Sequence, residues 1–340
     1  MIYPYGIISD THYHRWTAFS TEHDGVNSRL RIALDETWDA AQKMRDAGCQ
    51  TIYHAGDMFH VRGAIAPSVL NPVLEVYQRI VEQLGMEIVV IPGNHDLEGN
   101  ESSFTKNASS ALQSIGVRVY ATPTVHNNTV LLVPWIASVS DLLAYLRQLN
   151  PKEPNLDLIL HAPINGVIRG IPDHGLEAEE LEALPFQRVF AGHYHNFKSF
   201  GNGVYSIGAL THQTWSDVGS GCGYLIVDAK EVTHYSSNAP RFVDAKNGAK
   251  VGGNYVRYKG PIKKSSDIVR LRDGLLKMGA AGVVIHPLKQ DNGVNRSETI
   301  KVGGTLQESI HDFIQARGYE RPDELYKLCE GYLAQTEEVA

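Results

Sequence analysis

Apolar runs of strand length recur through most of the chain, and five of them stop at short polar segments built from Asp, Asn and His. These segments are Asp10-Thr11-His12, Gly56-Asp57-Met58-Phe59-His60, Gly93-Asn94-His95-Asp96, His161 and Gly192-His193-Tyr194-His195. Between the runs lie helical patterns with one apolar face, the clearest over residues 28–47 and 67–84. Strands alternating with amphipathic helices predict an α/β sheet with crossover helices. Such sheets place their ligand sites beyond the carboxyl ends of the strands, where all five polar segments fall.

The remaining pattern fills in the same architecture. Strands are expected over residues 2–9, 50–55, 87–92, 117–121, 130–134, 156–160, 188–191, 204–207 and 223–227, with shorter helices over 104–115, 138–149 and 177–184. Gly201-Asn202-Gly203 reads as a hairpin turn. Residues 236–254 are rich in small and turn-forming types and read as a linker. Beyond it, strand, helix and strand are expected over 255–260, 265–278 and 282–287, then two helices over 305–317 and 322–333, the first capped by Thr305 and Glu308. The expected domains are therefore 1–237, a linker 238–254, a small cap 255–302 and a terminal helix pair 303–340.

Three widely spaced cysteines, Cys49, Cys222 and Cys329, form no C-x-x-C pair and argue against a thiolate metal site or a disulfide frame. No apolar run reaches the length of about 20 residues that crosses a bilayer, and the N-terminus lacks a signal-peptide pattern, so a cytoplasmic protein without membrane partners is expected. A net charge of -7 disfavours nucleic-acid binding through the surface as a whole. That average hides a local excess: residues 255–272 hold six basic residues, Arg257, Lys259, Lys263, Lys264, Arg270 and Arg272, against the single acid Asp267.

Carboxylate, amide and imidazole donors together suit a borderline-hard divalent ion such as Mn²⁺, Fe²⁺ or Zn²⁺. Seven candidate ligands in these segments are more than one cation takes. They suit two cations that share a carboxylate at the separation of about 3.5–4 Å found in two-metal hydrolases.

This ordered set resembles the calcineurin-like metallophosphoesterase superfamily, whose signature is D-x-H, G-D, G-N-H-[DE], an isolated His and G-H-x-H. The resemblance implies a four-layer α/β sandwich, two mixed β-sheets flanked by helices, here carrying a small C-terminal α+β cap. It implies that Asp10, His12, Asp57 and His195 bind one metal and Asp57, Asn94, His161 and His193 the other, with Asp57 bridging and His95 as the catalytic imidazole. The implied cofactor is a pair of divalent ions, Mn²⁺ first, with Fe²⁺, Zn²⁺ and Mg²⁺ as alternatives.

A finer likeness is to the DNA double-strand-break repair nucleases typified by bacterial SbcD. The G-D block ends in Phe59-His60, Pro67-Ser68 opens the next helix, and the G-N-H block ends in Asp96. The G-D-x-x-D-R-G and G-N-H-E patterns of the protein serine/threonine phosphatases are missing. One departure is Gly208-Ala209-Leu210, where that branch shows Pro-Gly-Ser. The likeness implies an exonuclease or endonuclease cleaving DNA phosphodiesters in repair or recombination, with DNA and a coiled-coil ATPase of the SbcC type as partners; a homodimer is left open.

Around the motifs, His60 and Asp96 either orient a catalytic group or complete a loop, and Arg15, Arg62, Arg169, Lys263 and Lys264 are candidate phosphate contacts or solvated charges. Trp16 and Trp215 stack on bases or anchor packing. In the terminal helices, Ile310, Phe313 and Ile314, then Leu325, Leu328, Tyr332 and Leu333, form apolar stripes that either dock a partner or pack internally. Two other functions stay open: a phosphoesterase for a nucleotide or cyclic nucleotide, and a non-catalytic scaffold on the same fold, as in the retromer subunit.

Overall fold

The computed structural model of the chain describes residues 3–99, 106–149, 156–168, 170, 174–245, 250–262, 264–288 and 305–337. The chain divides into two compact units, Met1–Lys259 with Ser265–His286, and Gly260–Lys264 with Pro287–Ala340. The order begins with β1 (Tyr5–Ile8), a hairpin of β2 (Glu22–His23) and β3 (Val26–Asn27), α1 (Ser28–Asp46), β4 (Thr51–His54), α2 (Pro67–Leu84), β5 (Glu87–Val90), a 3₁₀ helix (Ala108–Ile115) and β6 (Arg118–Val119). It continues with β7 (Thr124–His126), β8 (Val130–Val133), α3 (Val139–Gln148), β9 (Asp157–His161), α4 (Ala178–Glu182), β10 (Arg188–Gly192), β11 (Lys198–Gly201), β12 (Val204–Ser206), β13 (Gly223–Val227) and β14 (Val232–Ser236). The last elements are β15 (Phe242–Asp244), β16 (Tyr255–Pro261), α5 (Ser265–Lys277), β17 (Gly282–Leu288), α6 (Leu306–Arg317) and α7 (Pro322–Glu337).

Two mixed six-stranded sheets, ordered β14-β13-β1-β4-β5-β6 and β11-β12-β10-β9-β8-β7, form the body of the first unit. In each the central strands are parallel; antiparallel pairs lie at one margin of the first sheet, β14-β13-β1, and at both margins of the second. The period of two along each strand explains the layering. Ile52, Ile88 and Val90 pack with Leu30, Leu34, Met44, Val73 and Ile80 of α1 and α2, whereas Tyr5, Ile7, Tyr53 and Val89 turn the other way. There they meet Val130, Leu132, Ile159 and Phe190 of the second sheet, whose alternate residues Leu131, Val133, Leu158, Leu160 and Val189 pack on Leu142 and Leu146 of α3 and Leu181 of α4. The four-layer sandwich expected from the motifs is thus built by strands buried on both faces.

Local signals fix the helices. Asn27 caps α1 by accepting the N–H groups of Arg29 and Leu30, and Lys43 and Arg45 lie in its last turn, where cations complement the helix dipole. α2 has Pro at its start and ends on Gly85 in the left-handed region, matching the expected 67–84. The helix expected over 104–115 appears only as the 3₁₀ helix from Ala108, and residues 100–105 lie outside the described residues. Its serines explain the tighter winding: Ser110 donates through both N–H and O–H to Asn107 Oδ1, and Ser114 donates to the Ala111 carbonyl. Within the stretch 238–254, β15 joins β16 and β17 in a three-stranded sheet, with Phe242 buried.

In the second unit, Thr305 and Glu308 cap α6 reciprocally, as the sequence pattern implies. Ile314 is buried, while Phe313, Leu325 and Leu328 are exposed; the side chains of Tyr332 and Leu333 lie outside the described residues. Among the described residues no helix is long and apolar enough to cross a membrane.

At the sheet end far from the motifs, Asp157 is fully buried and accepts two parallel bonds from Arg188, Nε to Oδ1 and Nη2 to Oδ2, both 2.9 Å. The hydroxyls of Tyr3 and Tyr5 donate to the same carboxylate at 2.8 and 2.5 Å. Burial and the neighbouring carboxylate push Tyr3 up to about 12. Removing one partner of such a pair strands the other in low dielectric, so Asp157→Ala is expected to cost about 3–5 kcal/mol, read as a lower urea midpoint. An unchanged midpoint would mean that Arg188 finds water when unpaired.

Candidate metal centre

The five polar segments lie beyond β1, β4, β5, β9 and β10. The first two run side by side, because the N–H groups of Asp10, His12 and Tyr13 donate to the carbonyls of Gly56, Asp57 and Met58 at 3.0, 3.0 and 2.8 Å. Asp10, His12, Asp57 and His193 all adopt positive φ, at 51°, 42°, 53° and 113°, a conformation that non-glycine residues hold only where the surroundings impose it. Glycine is required where backbone and donors crowd: a Cβ on Gly93 would strike the Asp57 carboxylate, and one on Gly56 would strike the His161 ring.

The turns bring the candidate ligands into two adjoining triplets. Within Asp10, His12 and His195, and again within Asp57, His161 and His193, the ligand atoms lie inside 4.8 Å of one another. Asp57 joins them: its Oδ2 is 3.5 Å from His12 Nε2 and 3.5 Å from His161 Nε2. Asn94 Oδ1 lies 3.2 Å from His161 Nε2 and 3.1 Å from His193 Nδ1. All seven residues named from the sequence are therefore brought together, with one carboxylate between the two groups.

Hydrogen bonds set the ring tautomers. His161 Nδ1 donates to the Ala55 carbonyl at 2.7 Å, and His95 Nδ1 donates to the His60 carbonyl at 2.8 Å, so in each ring Nε2 is the nitrogen left for other chemistry. The backbone N–H of His95 donates to Asp57 Oδ1 at 2.8 Å. Asp10 accepts from Ser9 Oγ at 2.5 Å and from the His193 N–H at 3.1 Å.

Two buried carboxylates side by side titrate in opposite directions. Burial would raise Asp57, but the imidazoles of His161, His12 and His95 hold it well below the usual carboxylate range. Burial raises Asp10 to about 6, although His161 opposes the shift. Burial pushes His161 down, but Asp57, Asp10 and the Ala55 carbonyl together raise it to about 9, while burial and His161 push His193 down to about 3. A buried anion flanked by imidazoles is a donor set suited to divalent cations, which take each ring in its neutral form, and no thiolate takes part.

His60 and Asp96 occupy different positions. Asp96 is buried and accepts the N–H groups of Met58, Phe59 and Gly93 at 3.3, 3.0 and 2.9 Å, stapling the second motif loop to the third. His60 Nδ1 lies 3.3 Å from His12 Nδ1, and its ring stacks on His95 at 5.4 Å, so it borders the centre; burial and His14 push it down to about 4. Arg62 Nε donates to the Asn94 carbonyl at 3.0 Å, beside the donors. Arg15 is exposed and pairs with Glu22 at 2.9 Å, and Lys264 is exposed. Arg169 and Lys263 lie outside the described residues. Trp16 packs its ring 4.6 Å from His60 and under the Arg29 guanidinium, and Trp215 packs edge-on to Phe242 at 4.7 Å.

Sequence reasoning missed Asp217 and Gln213. The Asp217 carboxylate accepts from His195 Nδ1 at 2.8 Å, and Gln213 Nε2 donates to the Asp10 carbonyl at 2.6 Å. The one local signal was Thr214-x-x-Asp217, a capping pattern that does close reciprocally around the short turn Trp215–Asp217.

A family model for calcineurin-like phosphoesterases matches residues 3–197. No curated protein sequence matches the chain. Among solved structures, a dimetal phosphatase from Danio rerio is similar at 12% identity and TM-score 0.44, over 69% of this chain and 96% of that one. The nuclease MPE of Pseudomonas putida is similar at 18% identity and TM-score 0.28, over 58% of this chain and 65% of that one.

Proposed function

The chain belongs to the calcineurin-like phosphoesterase family, and on that premise we propose that it is a two-metal phosphodiesterase of the SbcD type acting on DNA. The family implies metal-dependent hydrolysis of phosphoester bonds; the nuclease activity and the DNA substrate are the further steps. One observation carries the reading: two donor triplets adjoin and share the Asp57 carboxylate, 3.5 Å from an imidazole of each.

Asp10, His12, Asp57 and His195 would hold one cation and Asp57, Asn94, His161 and His193 the other, a nitrogen and oxygen set that suits Mn²⁺, proposed first, and equally Fe²⁺ or Zn²⁺. Bound cations supply Lewis-acid charge and a water of lowered pKa. The protein's own contribution is positional. His95, with Nδ1 committed to the His60 carbonyl, presents Nε2 to stabilise or protonate the departing oxygen. Arg62, on the Asn94 carbonyl, places a cation where a phosphodiester would lie. His60 borders His95 and limits its freedom.

The DNA substrate is supported by the G-D-M-F-H and G-N-H-D blocks and by the basic stretch 255–272. There Lys259, Lys264, Arg270 and Arg272 are exposed, whereas Arg257 is engaged by Asp244 at 2.7 Å. The exposed stripe on α6 and α7, with Phe313, Leu325 and Leu328, is the proposed docking element for a coiled-coil ATPase.

Cleavage of end-labelled duplex and single-stranded DNA with Mn²⁺, beside bis-p-nitrophenyl phosphate and a nucleoside monophosphate, tests the reading. Hydrolysis of DNA and of the diester is expected, with little release from the monoester. Efficient turnover of the monoester alone would replace the nuclease by a small-substrate phosphoesterase. A double reversal, Lys259→Glu with Lys264→Glu, is expected to weaken DNA binding and to lower the salt slope by about 0.9 for each phosphate no longer neutralised, leaving the small diester unaffected. An unchanged slope would remove this stretch from the DNA interface.

A further inference from the structure

We propose, deepening the two-metal reading on which it rests, that Asp217 is the positioning residue for His195, and that residues 213–217 tie this imidazole to the sheet of β15 and β16. Asp217 is 2% exposed, and both its oxygens are committed. Oδ1 accepts from His195 Nδ1 at 2.8 Å, while Oδ2 accepts the N–H groups of Gln213 and Thr214 at 2.7 and 2.8 Å. A carboxylate held on both sides cannot rotate, so it fixes the His195 ring plane and leaves Nε2 as the ligand nitrogen. Carboxylates that hold the far nitrogen of a ligand imidazole orient it and raise its basicity.

The same segment grips a second ligand of that triplet and no ligand of the other. Gln213 Nε2 donates to the Asp10 carbonyl at 2.6 Å, and the Gln213 carbonyl accepts from Arg29 Nη2 at 2.6 Å. Among the described residues, no bond runs from 213–217 to Asp57, Asn94, His161 or His193. The dependence is therefore one-sided: it acts on the cation of Asp10, His12 and His195.

At its outer end the segment is clamped by aromatic rings. Trp215 meets Phe242 edge-on at 4.7 Å and Phe19 at 6.0 Å, and the Arg257 guanidinium, paired with Asp244, lies 4.5 Å above the indole. Phe19 stacks on Tyr255 at 5.0 Å, and Arg29 lies 5.0 Å from the Phe242 ring. The Phe242 N–H donates to His212 Nδ1 at 3.0 Å, joining β15 to the start of the same loop. Phe242 of β15 and Arg257 of β16 thus set where Trp215 sits, and two residues later Asp217 sets where His195 points.

The test is an equilibrium titration of the full-length chain with Mn²⁺ alone, counting free ion by its electron spin resonance signal. The wild-type protein should bind two ions. Asp217→Ala should weaken one by about 10–100-fold and spare the other. Asp217→Asn, which keeps the acceptor and the volume, should weaken the same ion less and guards against a misfolded alanine variant. Trp215→Ala should act on that ion too. Unfolding temperatures in chelator show whether the fold itself has changed. Asp217 variants that bind both ions as the wild type does, or that lose both equally along with stability in chelator, overturn the positioning role. A Trp215 variant with unaltered affinities overturns the tie to the sheet. A wild-type chain that binds no Mn²⁺ overturns the two-metal reading itself, and the positioning role falls with it.

Discussion

Asp57→Asn is expected to reduce metal content at both positions together and to lower diester hydrolysis by on the order of 10³-fold or more. Its Oδ2 stands 3.5 Å from His12 of one triplet and 3.5 Å from His161 of the other, and its Oδ1 is pinned by the His95 N–H at 2.8 Å. Asn is nearly isosteric and keeps an acceptor, but it lacks the buried negative charge that two cations would share. Metal ions contribute several kcal/mol of charge stabilisation, and about 4 kcal/mol corresponds to 10³-fold. Metal analysis after gel filtration, beside rates on bis-p-nitrophenyl phosphate, reads both effects. An Asn variant that retained two equivalents of metal and full turnover would remove Asp57 from the bridging position. Loss at one position alone would assign it to a single cation.

His95→Ala is expected to do the opposite to metal and nearly the same to rate: content retained, diester hydrolysis lowered by about 10²–10⁴-fold, the range for a positioned proton donor. Metal is spared because what His95 gives Asp57 is its backbone N–H, which Ala keeps. The imidazole is lost, with its Nδ1 bond to the His60 carbonyl. Turnover like that of the unaltered enzyme would show that His95 takes no part in proton transfer. A parallel loss of metal would make it a ligand, alongside His12 and His60, whose ligand atoms cluster with its own inside 4.8 Å.

Much of this centre could be read from the sequence because its donors sit within short blocks, each directly after a strand. The rule that sites in α/β sheets form beyond the strand ends marks the blocks, and the resemblance to the metallophosphoesterase signature picks Asp10, His12, Asp57, Asn94, His161, His193 and His195 out of them. The layers were legible for a related reason: strands such as Val130–Val133 and Arg188–Gly192 are buried on both faces and read as unbroken apolar runs. Asp217 was not legible. It lies 22 residues beyond His195, in a loop of ordinary turn residues, and only the fold brings the two together. Nothing in the sequence pattern marks Arg29, near the start of an amphipathic helix, yet it is buried against the rings of Trp16, Phe242 and Tyr255. Asp96 could be read as either catalytic or structural, since its motif fits both. Three bonds from backbone N–H groups bind it to the loops, and burial together with Asp57 raises it to about 6.

The central claim is that two cations sit on either side of one carboxylate. Anomalous diffraction from crystals of the full chain grown with Mn²⁺ tests it most directly. Two peaks about 3.5–4 Å apart are expected, flanking Asp57, one among Asp10, His12 and His195 and the other among Asn94, His161 and His193. A single peak, or two peaks with Asp57 bound to neither, would contradict it.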